Sequence, residues 1–241
     1  MVKFLSPSRP SSQAGFAHNL GWWIGRLIVW FVLGSVGLTI VYKWVPVPVT
    51  ITMLADPQGF TKDWEPLSRI DRNMVAAVIA GEDGKFCSHN GFDTEAIEKA
   101  MERNARGGKL RGGSTISQQT AKNVFLWQGQ GWTRYARKGL EAWFTFLIES
   151  IWGKRRIMEV YLNVAETGIG TYGVEAGAQR YYNKSAARLS RVEAARIAAA
   201  LPSPRKRAVN NATGFTRRHG NTIAKRSAVV RNEALDACVY E

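Results

Sequence analysis

Glu82 and Asp83 stand side by side at the end of an apolar segment, with Phe86, His89 and Gly91 following at fixed intervals. Further on comes the run Gly112-Gly113-Ser114-Thr115-Ile116-Ser117-Gln118-Gln119-Thr120-Ala121-Lys122-Asn123. A carboxylate pair at a helix end suits proton transfer, and a Gly-Gly-Ser-Thr turn entering Gln-Gln supplies hydroxyls and amides around an oxygen-rich substrate. Two more groups lie on helical patterns: Arg137-Lys138-x-x-Glu141, and Lys154 followed by Tyr161-Leu162-Asn163. On a helix Arg137 or Lys138 and Glu141 fall three or four apart, so cations and a carboxylate share one face.

These side chains need helices to hold them. Leu67, Ile70, Met74, Val75 and Val78 recur at helical spacing, so a helix buries that face and delivers Glu82 and Asp83 at its C-terminal end. Asp93 or Thr94 caps a second helix through Arg103, and Ser117–Leu126 reads as a third. Gly107, Gly108, Gly112 and Gly113 break the chain between them and read as a mobile loop. Further helices are expected over Arg137–Trp152, Lys154–Asn163, Val174–Tyr182 and Val192–Leu201, the last opened by a Ser190-x-x-Glu193 capping box. Strand signals are few, and no internal repeat occurs.

The net charge of +14 implies anionic partners. Between Lys99 and Arg156 twelve Lys or Arg face three Glu, so +9 of it surrounds the motifs above. Arg205–Arg231 reads instead as a solvated basic tail. Leu27–Tyr42 is uncharged and apolar; with Trp22, Trp23 and Trp44 it makes a span of roughly 23 residues, enough for ~30 Å of hydrocarbon. Arg26 can snorkel to the headgroups. The run is too long for a signal-peptide core, and Pro46-Val47-Pro48-Val49 lacks a small-residue cleavage pattern. Pro46, Pro48, Pro57 and Pro66 mark an extended linker. Cys87 and Cys238 form no metal spacing or disulfide framework, and Cys87 reads as a small apolar neighbour of the site.

Gly168-x-Gly-x-x-Gly173 follows a helical pattern and is discounted as a dinucleotide turn. Ser203-x-x-Lys206 lacks the partner motifs of a transpeptidase.

Taken in order, EDxxFxxHxG, GGSTxSQQxxKN, RKxxE and the Tyr161-Leu162-Asn163 helix resemble the glycosyltransferases that polymerise lipid II into peptidoglycan. The likeness runs from about Leu67 to Pro204 and is greatest to monofunctional biosynthetic transglycosylases. It implies a mostly α, lysozyme-like glycosyltransferase domain with a small hydrophobic jaw, preceded by one transmembrane helix. Val124-Phe125-Leu126-Trp127 and Trp132 suit the jaw. The implied division is a cytoplasmic tail over 1–19, the membrane helix over 20–44, a linker over 45–66, the catalytic domain over 67–210 and a basic C-terminal segment over 211–241.

The resemblance assigns catalysis to Glu82, as the base, and to Glu141, which would orient Arg137 or Lys138 or hold a divalent cation, Mg2+ or Mn2+. That cation is optional in the family. Substrate binding falls to Asp83, Phe86, His89, Ser114, Thr115, Gln118, Gln119, Lys122, Asn123, Arg137, Lys138 and Lys154. Tyr161 and Asn163 are expected to hold the fold around the cleft. Expected partners are lipid II, the lipid-linked nascent glycan, membrane lipids and proteins of division or elongation, with no nucleic acid. The expected place is the inner membrane, single-pass, with the N-terminus cytoplasmic and the catalytic domain periplasmic; Lys3 and Arg9 before the span agree.

Two other readings are a lytic enzyme cleaving finished glycan and a noncatalytic membrane scaffold binding nucleic acid through Arg106-Gly107-Gly108 and Arg111-Gly112-Gly113. The first leaves no pyrophosphate to neutralise, and the second has too few repeats and no nucleic-acid motif.

Overall fold

The computed structural model describes residues 12–107, 113–128, 131 and 133–241, with side chains from residue 19 onward except at Asn104. Lys3, Arg9, most of the Gly-rich segment and Trp132 lie outside the described residues. A long helix α1 (Ser12–Trp44) is followed by a short α2 (Ile51–Leu54), a strand β1 (Thr61–Lys62) and then α3 (Arg72–Glu82), α4 (Thr94–Ala105), α5 (Ile116–Phe125), α6 (Thr133–Ile151) and α7 (Lys154–Val164). A hairpin of β2 (Glu166–Gly168) and β3 (Thr171–Tyr172) leads to α8 (Val174–Tyr182), α9 (Arg191–Ala200), α10 (Gly214–Asn232) and α11 (Ala237–Tyr240). The protein is mostly α, as its periodicity predicts.

The centre is α3, in which Met74 through Ile79 are all fully buried. Such a helix is covered on every side. Here α9 and α10 pack against it, where the sequence suggested one apolar face. Asp71 accepts the N–H of Asn73 at 2.8 Å and starts α3 at Arg72, while Leu67–Arg69 forms a separate single turn. At Gly81 a Cβ would meet Ile223 of α10 at 3.0 Å, so glycine permits this approach beside Glu82.

Helix α1 is about 50 Å long at 1.5 Å per residue, and its Asn19–Trp44 stretch is long and apolar enough to cross a membrane. It does not simply trail from the domain. Trp143 donates its indole N–H to Ser35 Oγ at 3.1 Å, and Trp152 donates to the Thr39 carbonyl at 2.7 Å. Arg156 donates to the carbonyls of Tyr42 and Val45 at 2.9 and 2.7 Å, which satisfies acceptors at the end of α1. Helix α1 is thus seated along α6.

The segments flanking the 67–210 stretch are packed against it. The 45–66 segment is packed: Val47 and Met53 are buried, β1 pairs parallel with β3 in a sheet of order β1-β3-β2, and Asn163 bonds both the N–H and the carbonyl of Glu65 at 2.8 Å. The 211–241 segment is not a solvated tail either. Helix α10 covers α3 and α9, and buried Asp236 accepts two bonds from Arg72 at 2.8 and 2.7 Å.

The reading of Cys87 as an unpaired apolar neighbour is corrected by a disulfide between Cys87 and Cys238, 151 residues apart in sequence. Helices α10 and α11 fold back to bring the two Cα atoms within 5.5 Å, a proximity that no local spacing announces. The Gly168–Gly173 run also differs in context: it turns β2 into β3 with Gly170 at φ +62°.

Candidate active site

The loop after α3 is pinned to the start of α5. Asp83, buried, accepts the Ile116 N–H at 3.0 Å and the His89 Nε2–H at 3.0 Å. His89 Nδ1 accepts the Gly91 N–H at 3.2 Å, which leaves the ring hydrogen on Nε2. Thr115 donates to the Gly91 carbonyl at 2.6 Å, and Gly91, at φ +90°, lies where a Cβ would strike Thr145 of α6 at 2.7 Å. Thr115 and Gln118 close a capping box on each other.

That frame sets Glu82 and Gln119 face to face. Glu82 Oε2 accepts the Gln119 Nε2–H at 2.9 Å, and Gln119 Oε1 accepts the Tyr161 hydroxyl at 3.2 Å. Glu82 Oε1 is buried and has no partner among the described residues. Burial pushes the Glu82 carboxyl above its usual range, opposed by the Gln119 bond and the charges of Arg207 and Lys122. One oxygen is held and the other remains available to take a proton.

The cations gather next to it. Ser114, Gln119, Lys122, Arg134, Arg137, Lys138 and Glu141 line a cleft of about 160 Å³. Among the described residues Arg137 Nε and Nη1 are buried without a partner, although an unpaired guanidinium is costly to bury. Lys138 pairs with Glu141 and reaches Ser114 Oγ at 3.4 Å. Burial lowers the Lys122 pKa; Glu141 opposes that shift, and the nearby charges of Arg137 and Lys138 add to it. Such a cluster, short of acceptors, is suited to an anion with several oxygens.

Two other cavities adjoin. Glu82, Asp83, Ser114 and Thr115 line one of about 230 Å³ with Lys85, Glu95 and Lys99. Gln119 and Lys122 also line the largest, about 620 Å³, with Asn123, Trp127, Tyr161 and Lys206. Its far wall is fixed by buried Asp56, which accepts the Tyr172 hydroxyl at 2.8 Å and Arg205 at 2.6 Å.

The expected residues therefore divide. Glu82, Ser114, Gln119, Lys122, Asn123, Arg137, Lys138 and Glu141 line the cavities, and Asp83 and His89 order the loop. Thr115 and Gln118 are engaged in the helix cap. Phe86 is fully buried, with the Lys154 ammonium 4.6 Å from its ring centre; Lys154 pairs with Glu149 at 2.7 Å, and Ser117 donates to Glu149. In the expected jaw, Val124 and Leu126 are core residues, Phe125 stacks on Phe144 at 4.3 Å, and Trp127 faces the large cavity. Exposed Phe146 lies on α6, the helix that carries α1.

Arg134 and Arg207, which no sequence motif singles out, add charge at the site, and Tyr161, expected to hold the fold around the cleft, is buried and donates to Gln119. The helical spacing of Arg134 with Lys138 was a usable signal; Arg207 lies beyond every motif. Among the described residues no three His, Cys, Asp or Glu side chains converge, and Glu141 is already paired. This donor set does not fit a resident divalent cation.

The sequence pattern of a family described as Transglycosylase matches residues 50–230. A biosynthetic peptidoglycan transglycosylase of Caulobacter vibrioides is 50% identical over 216 residues, covering 88% of this chain and 93% of that protein. Proteins of the same description from Rhodospirillum centenum and Pseudomonas putida are 47% and 46% identical, covering 86% and 87% of this chain and 90% and 89% of theirs. The chain belongs to the transglycosylase family, with biosynthetic peptidoglycan transglycosylases among its relatives.

Proposed function

We propose that this peptidoglycan glycosyltransferase polymerises lipid II into linear glycan, with Glu82 as the base. The acceptor's GlcNAc 4-hydroxyl attacks the anomeric carbon of the lipid-linked donor chain. Glu82 Oε1 takes the hydroxyl proton as the new C–O bond forms, and the bond to undecaprenyl pyrophosphate breaks. One displacement inverts the anomeric centre, and a single base with a good leaving group needs no covalent intermediate.

The leaving group accounts for the cations. Arg137 has two nitrogens without a partner among the described residues, and Lys122 and Lys138 add charge, so the pyrophosphate oxygens that gain charge as the bond breaks meet fixed positive partners. Glu141 orients Lys138 and does not itself meet the anion. Ser114 and Gln119 offer a hydroxyl and an amide to sugar or phosphate oxygens.

The membrane arrangement follows from the same chemistry: α1 crosses the inner membrane once, with the N-terminus cytoplasmic and the catalytic domain periplasmic beside its lipid-linked substrate. The Cys87–Cys238 disulfide supports that side, because such bonds persist in oxidising compartments. Trp143 and Phe146 on α6 lie near the anchor, in keeping with an apolar edge that rests in the outer leaflet.

The observation that carries this reading is a buried Glu82 oxygen with no partner among the described residues, whose neighbour Lys122 also feels the charge of Arg137, a guanidinium with two nitrogens likewise unpartnered among them. Purified full-length protein given labelled lipid II should yield glycan strands and free undecaprenyl pyrophosphate. Soluble fragments from finished sacculi, without polymer from lipid II, would instead identify a lytic enzyme.

A further inference from the structure

We infer that Tyr161 is a positioning residue for the base, acting through the side-chain amide of Gln119. This inference rests on Glu82 being the base. The three groups come from three helices: Glu82 ends α3, Gln119 lies in α5 and Tyr161 in α7. Tyr161 O–H donates to Gln119 Oε1 at 3.2 Å, and Gln119 Nε2–H donates to Glu82 Oε2 at 2.9 Å. Gln119 is thereby read by a donor on its oxygen and an acceptor on its nitrogen, which fixes its amide orientation while Glu82 is ionised.

Tyr161 is 1% exposed, and among the described residues its hydroxyl makes this one hydrogen bond. Burial, with the nearby charges of Glu82 and Asp83, keeps that hydroxyl protonated and therefore a donor. A donor on an amide oxygen polarises the amide and strengthens its N–H. The Tyr161 bond thus favours the ionised form of Glu82, against the burial that disfavours it. The remaining charged groups around the carboxylate are Asp83 on the same strip of chain, Lys122 on α5 and Arg207 after α9. None of them is touched by removing the Tyr161 hydroxyl.

A base works only when ionised, so the acidic limb of the rate profile reports Glu82. Weakening the donor raises the carboxyl's pKa and moves that limb to higher pH. A hydrogen bond to a charged group is worth enough that losing it moves the midpoint by about 1–2 pH units in Gln119→Leu. Losing only its cooperative part in Tyr161→Phe moves it on the order of half a unit.

The test is the pH profile of kcat for lipid II polymerisation by full-length wild type, Tyr161→Phe, Gln119→Leu and the double variant. Both single variants should shift the acidic midpoint upward, and the double should match Gln119→Leu, since Tyr161 acts through Gln119. A purely structural Tyr161 would lower the melting temperature and the rate evenly with the midpoint fixed, which overturns the inference. So does an additive shift in the double variant. If Tyr161→Phe does not fold, an unshifted midpoint in Gln119→Leu overturns it alone. Glu82→Gln separates the two claims: wild-type polymerisation by that variant refutes the base itself, whereas an inactive Glu82→Gln beside unshifted profiles refutes only the relay.

Discussion

The carboxylate of Asp83 accepts the backbone N–H of Ile116 at 3.0 Å, joining the end of α3 to the first turn of α5. The same carboxylate holds His89, whose other ring nitrogen is committed to Gly91. Asp83→Asn can still accept from Ile116 but then turns an NH₂ toward a ring N–H. Two donors meet, so we expect about 1–3 kcal/mol lost from unfolding stability and a lower kcat at unchanged lipid II affinity. Denaturant unfolding and initial rates check this; a fully stable and active variant would show that the loop is ordered by other contacts.

The raised Glu82 carboxyl also has a stability signature. The native state keeps its proton to higher pH than the unfolded chain does, so this group contributes a loss of stability as pH rises from about 4.5 through the native pKa. Glu82→Gln removes that slope. The variant should be more stable than wild type at neutral pH and nearly equal to it at pH 4, as read by thermal melts across pH; a lower melting temperature at pH 7 contradicts the assignment.

Arg137 and Lys154 make opposite forecasts although both are cations on the motif helices. Arg137→Ala removes a guanidinium with two unpaired buried nitrogens, so stability should hold or rise while kcat/KM falls roughly 10–100-fold. Lys154→Met removes the cation paired with Glu149, leaving Ser117 as its donor, and should cost about 1–3 kcal/mol of stability with much of the activity kept in folded protein. Melting curves paired with kinetics decide between the roles. Loss of activity without loss of stability at Lys154 would place it at the substrate.

The Cys87–Cys238 bond closes most of the domain into one loop and ties the segment after Asp83 to α11. Cys87→Ser with Cys238→Ser should cost about 2–5 kcal/mol, and reductant should lower the melting temperature of wild type but not of the double variant. Equal melting temperatures with and without reductant would mean that the bond does not form in the purified protein.

The helices were legible because their apolar spacing and caps are local: Val174–Tyr182 falls where expected, and the Ser190–Glu193 box opens α9 as its spacing requires. Glu82, Arg137 and Glu141 stand out in the sequence because residue type and order point to their chemistry. What could not be read is set by contacts distant in sequence. Asp236 is buried only because Arg72 reaches it, Cys238 pairs only because α10 folds back over α3, and Tyr161 meets Glu82 only through a residue of a third helix. Thr115 and Gln118 were assigned to substrate by type, yet the same hydroxyl and amide that suit a sugar also suit a helix cap.

The central claim is that Glu82 removes the acceptor's proton while the Arg137 cluster receives the pyrophosphate. Its most direct test is single-turnover polymerisation of lipid II by folded, full-length Glu82→Gln, with substrate binding measured alongside. The account predicts binding near that of wild type and a rate 10²–10⁴-fold lower, the usual worth of a general base. Glycan formed at the wild-type rate would contradict it.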